Sequence, residues 1–334
     1  MNKNILSHVV IKPTLACTAN CSTCGTRKML HRGLIMGKDK MLDINDWEKV
    51  LKDAESLGNK RLDISGGEPM IFKHLVDLVR IGKKYNWHVN INTNGSLVTQ
   101  DKAEELINAG LNSVYVSLYS HDACRHDSMR NKNGLWETAV KTIDIFSKLQ
   151  SEKFSLKTQT LIDKVNFRDL PHLIRLHKKA GVSEIAVSYL EGDIDGEYLM
   201  NEDEIYEFRK KIIPKCIEEL QDLPAQKKEA AIASLENMFS YKISDYEWAH
   251  GIYRPSRIKQ DKCSRPSWFA LILANGDVHP CNAVEYTHEP IMGNIFNESL
   301  IKIWSGKKYD DFRKNTFSYC ERCPINLYTV IPLK

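Results

Sequence analysis

Long apolar runs are missing from this chain. A helix that crosses a membrane needs about 20 consecutive apolar residues, and no stretch of the 334 residues approaches that. The opening MNKNILSHVV lacks the basic, apolar and small-residue order of a secretory signal. Both absences lead to the expectation of a cytoplasmic protein with no membrane partner. A charge excess is also missing: 47 Lys and Arg face 43 Asp and Glu, a net +4. A nucleic-acid binder needs a concentrated basic field, and this dispersed balance does not supply one. There is no low-complexity tract, no repeat of solenoid period and no G-x-S-x-G hydrolase elbow.

Cysteine, in contrast, is plentiful, with nine residues. In a reducing compartment such a set serves metal or redox chemistry sooner than disulfides. Seven of them fall into two groups. Cys17, Cys21 and Cys24 form a C-x3-C-x2-C run directly after an apolar, strand-like segment. Three thiolates hold three irons of a [4Fe–4S] cube and leave the fourth open. A structural zinc site usually takes four protein ligands, and beyond His31 no fourth is near. The second group, Cys263, Cys281, Cys320 and Cys323, offers four thiolates, which suit a fully ligated cluster or tetrahedral zinc.

Periodicity predicts strands at about 9–14, 61–64, 88–92, 113–118, 155–161 and 184–188. Helical patterns separate them at about 45–57, 72–85, 100–109, 135–150 and 168–180, several ending at a glycine. Strict alternation of this kind specifies a parallel sheet with helices outside, curled by right-handed crossovers. From 201 to about 241 the pattern is helical without strands, broken by Pro214 and Pro224. Beyond it, 268–281 reads as a β-hairpin turning at Asn275-Gly276-Asp277, followed by a short helix at 299–304. The expected division is 1–195, a helical bridge at 196–254, and a small α+β domain at 255–334.

The cysteine run, followed by Ser65-Gly66-Gly67-Glu68-Pro69 at the end of the second strand, resembles the radical S-adenosylmethionine superfamily. Gly276-Asp277-Val278-His279-Pro280-Cys281, Gly293-Asn294-Ile295 and the last cysteines resemble its C-terminal SPASM and shorter twitch extensions. The resemblance covers about 5–195 and 255–325. It implies an open, six-stranded partial (β/α) barrel with chemistry at the C-terminal strand ends. It also implies S-adenosylmethionine chelated to the open iron, cleaved by one electron to a 5′-deoxyadenosyl radical that takes hydrogen from substrate. The second cysteine group then holds one auxiliary [4Fe–4S] cluster, giving two in all.

Residue by residue, the resemblance places Gly66, Gly67 and Glu68 at the methionine moiety, Asn94 along the cofactor pocket and Ser117 near the ribose. Arg130, in His126-Asp127-x-x-Arg130, reaches the methionine carboxylate. Where relatives often carry an aromatic before the third cysteine, this chain has Thr23. Cys124 and Cys216 stand outside both groups and are candidate hydrogen donors for an epimerase. Arg27, Lys28, His31, Arg32, Lys38 and Lys40 form a basic run, a solvated loop, a dock for an acidic electron donor such as flavodoxin or ferredoxin, or a surface that meets a phosphorylated substrate. The activity expected is oxidation or epimerisation at a C–H bond of a small polar intermediate, a sugar, nucleoside or aminocyclitol. A ribosomal-peptide maturase is the main alternative. The barrel pattern begins within the first ten residues, without the appended peptide-recognition domain of many relatives, which favours the small molecule. A non-catalytic iron–sulfur or zinc protein is the alternative from another class.

Overall fold

The computed structural model describes residues 4–31, 40–190, 196–238, 242–253, 263–282, 291–315 and 329–334. Six strands form the barrel: β1 (His8–Lys12), β2 (Arg61–Ile64), β3 (His88–Thr93), β4 (Ser113–Ser117), β5 (Ser155–Ile162) and β6 (Glu184–Tyr189). Each pairs in parallel with the next, from His8 opposite Arg61 to Ile162 opposite Tyr189. Helices α1 (Gly25–His31), α2 (Ile44–Ser56), α3 (Leu75–Lys84), α4 (Gln100–Asn108), α5 (Ala123–Arg130), α6 (Leu135–Lys148) and α7 (Leu170–Lys179) connect them. The sheet does not close. Its barrel strands lie in the order β6-β5-β4-β3-β2-β1, and the further strands that flank them leave two free ends among the described residues, as a partial barrel requires.

Every second residue of these strands turns outward under the helices. Val9, Ile11, Leu62, Ile64, Val89, Ile91, Val114 and Val116 share one apolar core with Trp47, Val50, Leu51 and Ala54 of α2. Helix α2 presents that stripe at helical spacing. It is started by a capping box between Asp43 and Asp46 and stopped at Gly58, whose φ of +97° favours glycine. The inward positions are of another kind: His8 and Lys12, Asp63, Asn92, Ser117, Gln159 and Ser188 face a cavity inside the barrel.

The helical bridge holds α8 (Glu202–Glu207), α9 (Ile213–Glu218), α10 (Ala225–Asn237) and α11 (Asp245–Ala249). Between α8 and α9 the chain winds as one π-helical turn, Phe208–Ile212, ahead of Pro214. Proline has no N–H for the preceding turn, and the wider winding accommodates that. The bridge packs its own core, including Tyr189, Phe208, Cys216, Leu235, Trp248 and Ile331.

The C-terminal part continues the barrel sheet at both edges. Strand β7 (Phe269–Leu273) lies parallel to β1 with His8 opposite Phe269, and β8 (Asp277–His279) and β9 (Gly293–Asn294) extend it antiparallel. Helices α12 (Leu300–Trp304) and α13 (Lys307–Lys314) follow. Strand β10 (Thr329–Pro332) pairs antiparallel with β6 at the opposite edge. The expected hairpin is present, but periodicity gave no sign of its parallel pairing with β1, of β10 or of α5. The boundary at 255 is thus crossed by one sheet on both sides. No helix among the described residues is long and apolar enough to cross a membrane.

Candidate active site

Cys17, Cys21 and Cys24 follow β1 on a loop stitched to the end of β2. Ser65 N donates to Ile11 O (2.9 Å), Gly67 N to Thr14 O (2.9 Å) and Glu68 N to Ala16 O (2.8 Å). The two backbones run so close that a methyl group on residue 67 would lie 2.0 Å from the Ala16 carbonyl oxygen, and one on residue 66, at φ +140°, 2.4 Å from that of Thr14. The glycines are therefore required first by the cysteine loop itself. Gly67 also lines the cavity.

The Glu68 carboxylate is fully buried and accepts from Met70 N (3.2 Å), Thr93 Oγ1 (2.7 Å) and Asn94 N (2.8 Å). Burial raises its pKa, against these three hydrogen bonds and the Arg130 charge. It is not among the residues that line the cavity, and its hydrogen bonds fix the end of β3. Asn94, which it holds, donates from Nδ2 to Thr18 Oγ1 (3.0 Å) and lies 3.7 Å from the Cys17 sulfur. Ala19 N approaches the same sulfur at 3.4 Å. The resemblance implies a place along the cofactor pocket for Asn94; the structure puts it in the cavity lining beside a thiol.

Arg130 lies at the end of α5, and Asn20 N and Ser22 N donate to the carbonyls of Arg130 and Met129, pinning the cysteine loop to this helix. Its guanidinium sits 4.4 Å over the Tyr119 ring, and its Nε has no partner among the described residues. Burial opposes its charge, but Tyr119 and the three thiols hold its pKa above the ordinary value. Burial pushes the Cys17 and Cys21 thiols up, while the Arg130 charge draws both down. His126 is neutral: burial and the Arg130 charge push its pKa down to about 3, and Nδ1 accepts from Tyr119 N at 3.1 Å. Asp127 caps α6 through Gly134 N (2.5 Å) and Trp136 N (2.8 Å). In the His126-Asp127-x-x-Arg130 motif, Arg130 alone reaches the cavity, and the other two fix its helix.

The cavity measures about 370 Å³ and is lined by Cys17, Cys21, Cys24, Gly67, Asn94, Ser117, Tyr119 and Arg130 on the side of the expected cofactor. All three cysteines line it and interact electrostatically. Three thiols, N–H donors aimed at one of them and a buried guanidinium form a donor set suited to an anionic, thiolate-bound iron–sulfur cluster and a carboxylate beside it.

The two unassigned thiols stand away from the lining of the cavity. Cys124 is exposed in the first turn of α5, and Cys216 is buried in the bridge core; neither lines the cavity. Burial, with a smaller push from Glu219, drives the Cys216 thiol far above its ordinary pKa, as suits a packing residue. Of the second cysteine group, Cys263 and Cys281 are half-buried, while Cys320 and Cys323 lie outside the described residues, as do Arg32 and Lys38 of the basic run. Asn282, next to Cys281, reaches the cavity.

Sequence reading missed the polar lumen. Its signal was present in the strands themselves: HVVIK, RLDI, HVNINT and SVYVS place a polar or charged residue at nearly every second position. That period specifies a strand, and on the inward face it also builds a hydrogen-bonding wall.

A barrel open at one side, three cysteines at its strand ends and a polar cavity beside them define a class of enzyme. The family model of the radical SAM superfamily matches residues 11–177, half of the chain, and that of the SPASM iron–sulfur cluster-binding domain matches 263–324. The chain belongs to the radical SAM superfamily and carries a SPASM domain. Its cofactors are accordingly S-adenosylmethionine, a [4Fe–4S] cluster and auxiliary iron–sulfur.

Among curated proteins it is similar to the PqqA peptide cyclase of Gluconobacter oxydans, 24% identical over 87% of this chain and 74% of that one. It is similar also to the AdoMet-dependent heme synthase of Methanosarcina barkeri, 25% identical over 90% and 82%. Among solved structures, Streptococcus suis SuiB bound to the precursor peptide SuiA superposes with a TM-score of 0.66 at 16% identity, over 93% of this chain and 67% of that one. At that identity the superposition speaks for the fold.

Proposed function

We propose that this protein is a radical SAM maturase that takes a hydrogen atom from a C–H bond within a peptide. The observation that carries the reading is the similarity, over most of both chains, to several PqqA peptide cyclases. The SuiB fold, solved with its precursor peptide, supports it further. This moves the substrate from the small sugar-like molecule expected from sequence to the peptide alternative.

When bound, the cofactor pair supplies the one-electron chemistry that removes the hydrogen atom. The chain's own residues hold and orient. Cys17, Cys21 and Cys24 are the cluster ligands, and Arg130, permanently charged and buried, is placed for the methionine carboxylate. Gly67 keeps the cysteine loop against β2, Ser117 presents a hydroxyl beside the cavity, and Tyr119 holds Arg130 in place under its guanidinium. Cys263, Cys281, Cys320 and Cys323 are the proposed auxiliary ligands.

The test is anaerobic turnover of the reconstituted enzyme with reductant, S-adenosylmethionine and the short peptides encoded beside its gene. The expected result is 5′-deoxyadenosine together with a peptide lighter by a pair of hydrogens. The triple change Cys17→Ala, Cys21→Ala, Cys24→Ala should abolish both. An unchanged peptide alongside oxidation of a small polar amine or sugar would overturn the reading.

A further inference from the structure

Below the cysteine loop the cavity continues down the barrel to residues that the chemistry above does not use. His8, Val10 and Lys12 are successive inward positions of β1 and all line it. Four residues of strand separate the first from the last, so the cavity runs about 13 Å along β1. At its lower end His8 Nε2 lies 3.0 Å from Asp63 Oδ2 on the neighbouring strand. Arg61 holds the same carboxylate from the other side, with Nε 3.0 Å from Oδ1 and Nη2 3.2 Å from Oδ2.

This arrangement fixes the imidazole. Burial pushes the Asp63 carboxyl up, but its hydrogen bond to His8 and the charges of His8 and Arg61 outweigh that and keep it below the ordinary value. An ionised carboxylate only accepts, so Nε2 carries the proton of the His8–Asp63 bond, and whenever the ring is uncharged its lone pair is at Nδ1. The ring cannot turn freely: Trp268 lies nearly parallel to it at 6.2 Å and Phe269 meets it edge-on at 5.2 Å. Nδ1 has no partner among the described residues, and the side chain, 18% exposed, is not sealed off. Gln159 and Ser188 line the same cavity. Phe269 also belongs to the small apolar group against which Cys281 packs, so this end of the cavity lies toward the C-terminal cysteines.

We propose that His8, positioned by Asp63 and Arg61, seats a hydrogen-bond-donating side group of the substrate, a carboxamide, hydroxyl or amine and not a backbone amide, so that the group inserted into the barrel is polar. An aliphatic group in the same place would displace water from Nδ1 and leave it unpaired, the kind of mismatch by which hydrogen-bonding sites reject analogues. For the identity of the donor, a peptide side chain, the inference rests on the function proposed above.

The test uses the full-length reconstituted protein with 15N-labelled histidine. Its probes are N-acetyl amino acid methylamides of serine, glutamine, lysine and leucine, with glucosamine as a polar non-peptide. The expected result is a His8 signal in the Nε2–H form whose Nδ1 resonance moves with the polar amino-acid probes. Those probes should bind at least tenfold more weakly to His8→Phe, which keeps the ring stack, and leucine should leave the signal in place. Asp63→Asn, which keeps a group at the position, should abolish the tautomer preference. A response to glucosamine alone would support the seat while counting against a peptide. No response to any polar probe, or an equal response to leucine, would overturn the seat whatever the turnover assay reports.

Discussion

Replacing Gly67 with alanine tests the idea that the cysteine loop is held by backbone contact. The added methyl would stand 2.0 Å from the Ala16 carbonyl oxygen and 2.6 Å from that of Leu15, where real contacts stay beyond 3.0 Å. Both obstacles are backbone, so the loop must move by about an ångström. Overpacking of this kind costs about 1–3 kcal/mol. The hydrogen bonds Gly67 N to Thr14 O and Glu68 N to Ala16 O lie in the path of the shift and are worth about 1 kcal/mol each. The expected loss is about 3–5 kcal/mol, concentrated on the loop that carries Cys17. The assays are urea unfolding of the metal-free protein and iron content after reconstitution, with 5′-deoxyadenosine formation as the functional readout. Gly134→Ala is the control: its φ is +75° but nothing lies within 4 Å, so it should cost about 1–2 kcal/mol and keep the cluster. Wild-type iron content in Gly67→Ala, with stability within about 0.5 kcal/mol of the parent, would refute the reasoning.

Cys124→Ala and Cys216→Ala should both retain cofactor cleavage and product formation, because neither thiol lines the cavity. The buried Cys216 change should cost about 1 kcal/mol on thermal or urea unfolding, and loss of product with cleavage intact in either variant would reinstate a thiol donor. Asn94→Leu removes an N–H from the neighbourhood of the Cys17 sulfur. Hydrogen bonds to cluster sulfur favour the reduced state, so EPR-monitored titration should show about a tenfold smaller reduced fraction at fixed potential, or about 59 mV. An unchanged midpoint would assign Asn94 to the loop network alone.

The barrel strands were legible because each carries apolar residues at every second position between turn residues, and five helices because glycine or a cap ended them. Helix α5 was not, since ACRHDSMR has no apolar stripe; what makes it a helix is the Asp122 cap and the cysteine loop packed on its end. Strand β10 is four residues long and owes its existence to the open edge of β6, which no local pattern reveals. At the site, the cysteines and Arg130 were readable as motif. His8 and Asp63 were not, because they meet only when strands 55 residues apart come into register.

The shared sheet has a consequence for how the chain can be cut. Strands β7 and β10 each cap an edge of the barrel, and edges left bare are templates for association with other chains. A truncation at residue 250 would uncover β1 and β6 together, exposing the apolar VVI of one and the IAV of the other at the rims. The barrel region expressed alone should therefore be recovered as aggregate, and a transplanted SPASM region would need a host whose first strand accepts β7 in the same register.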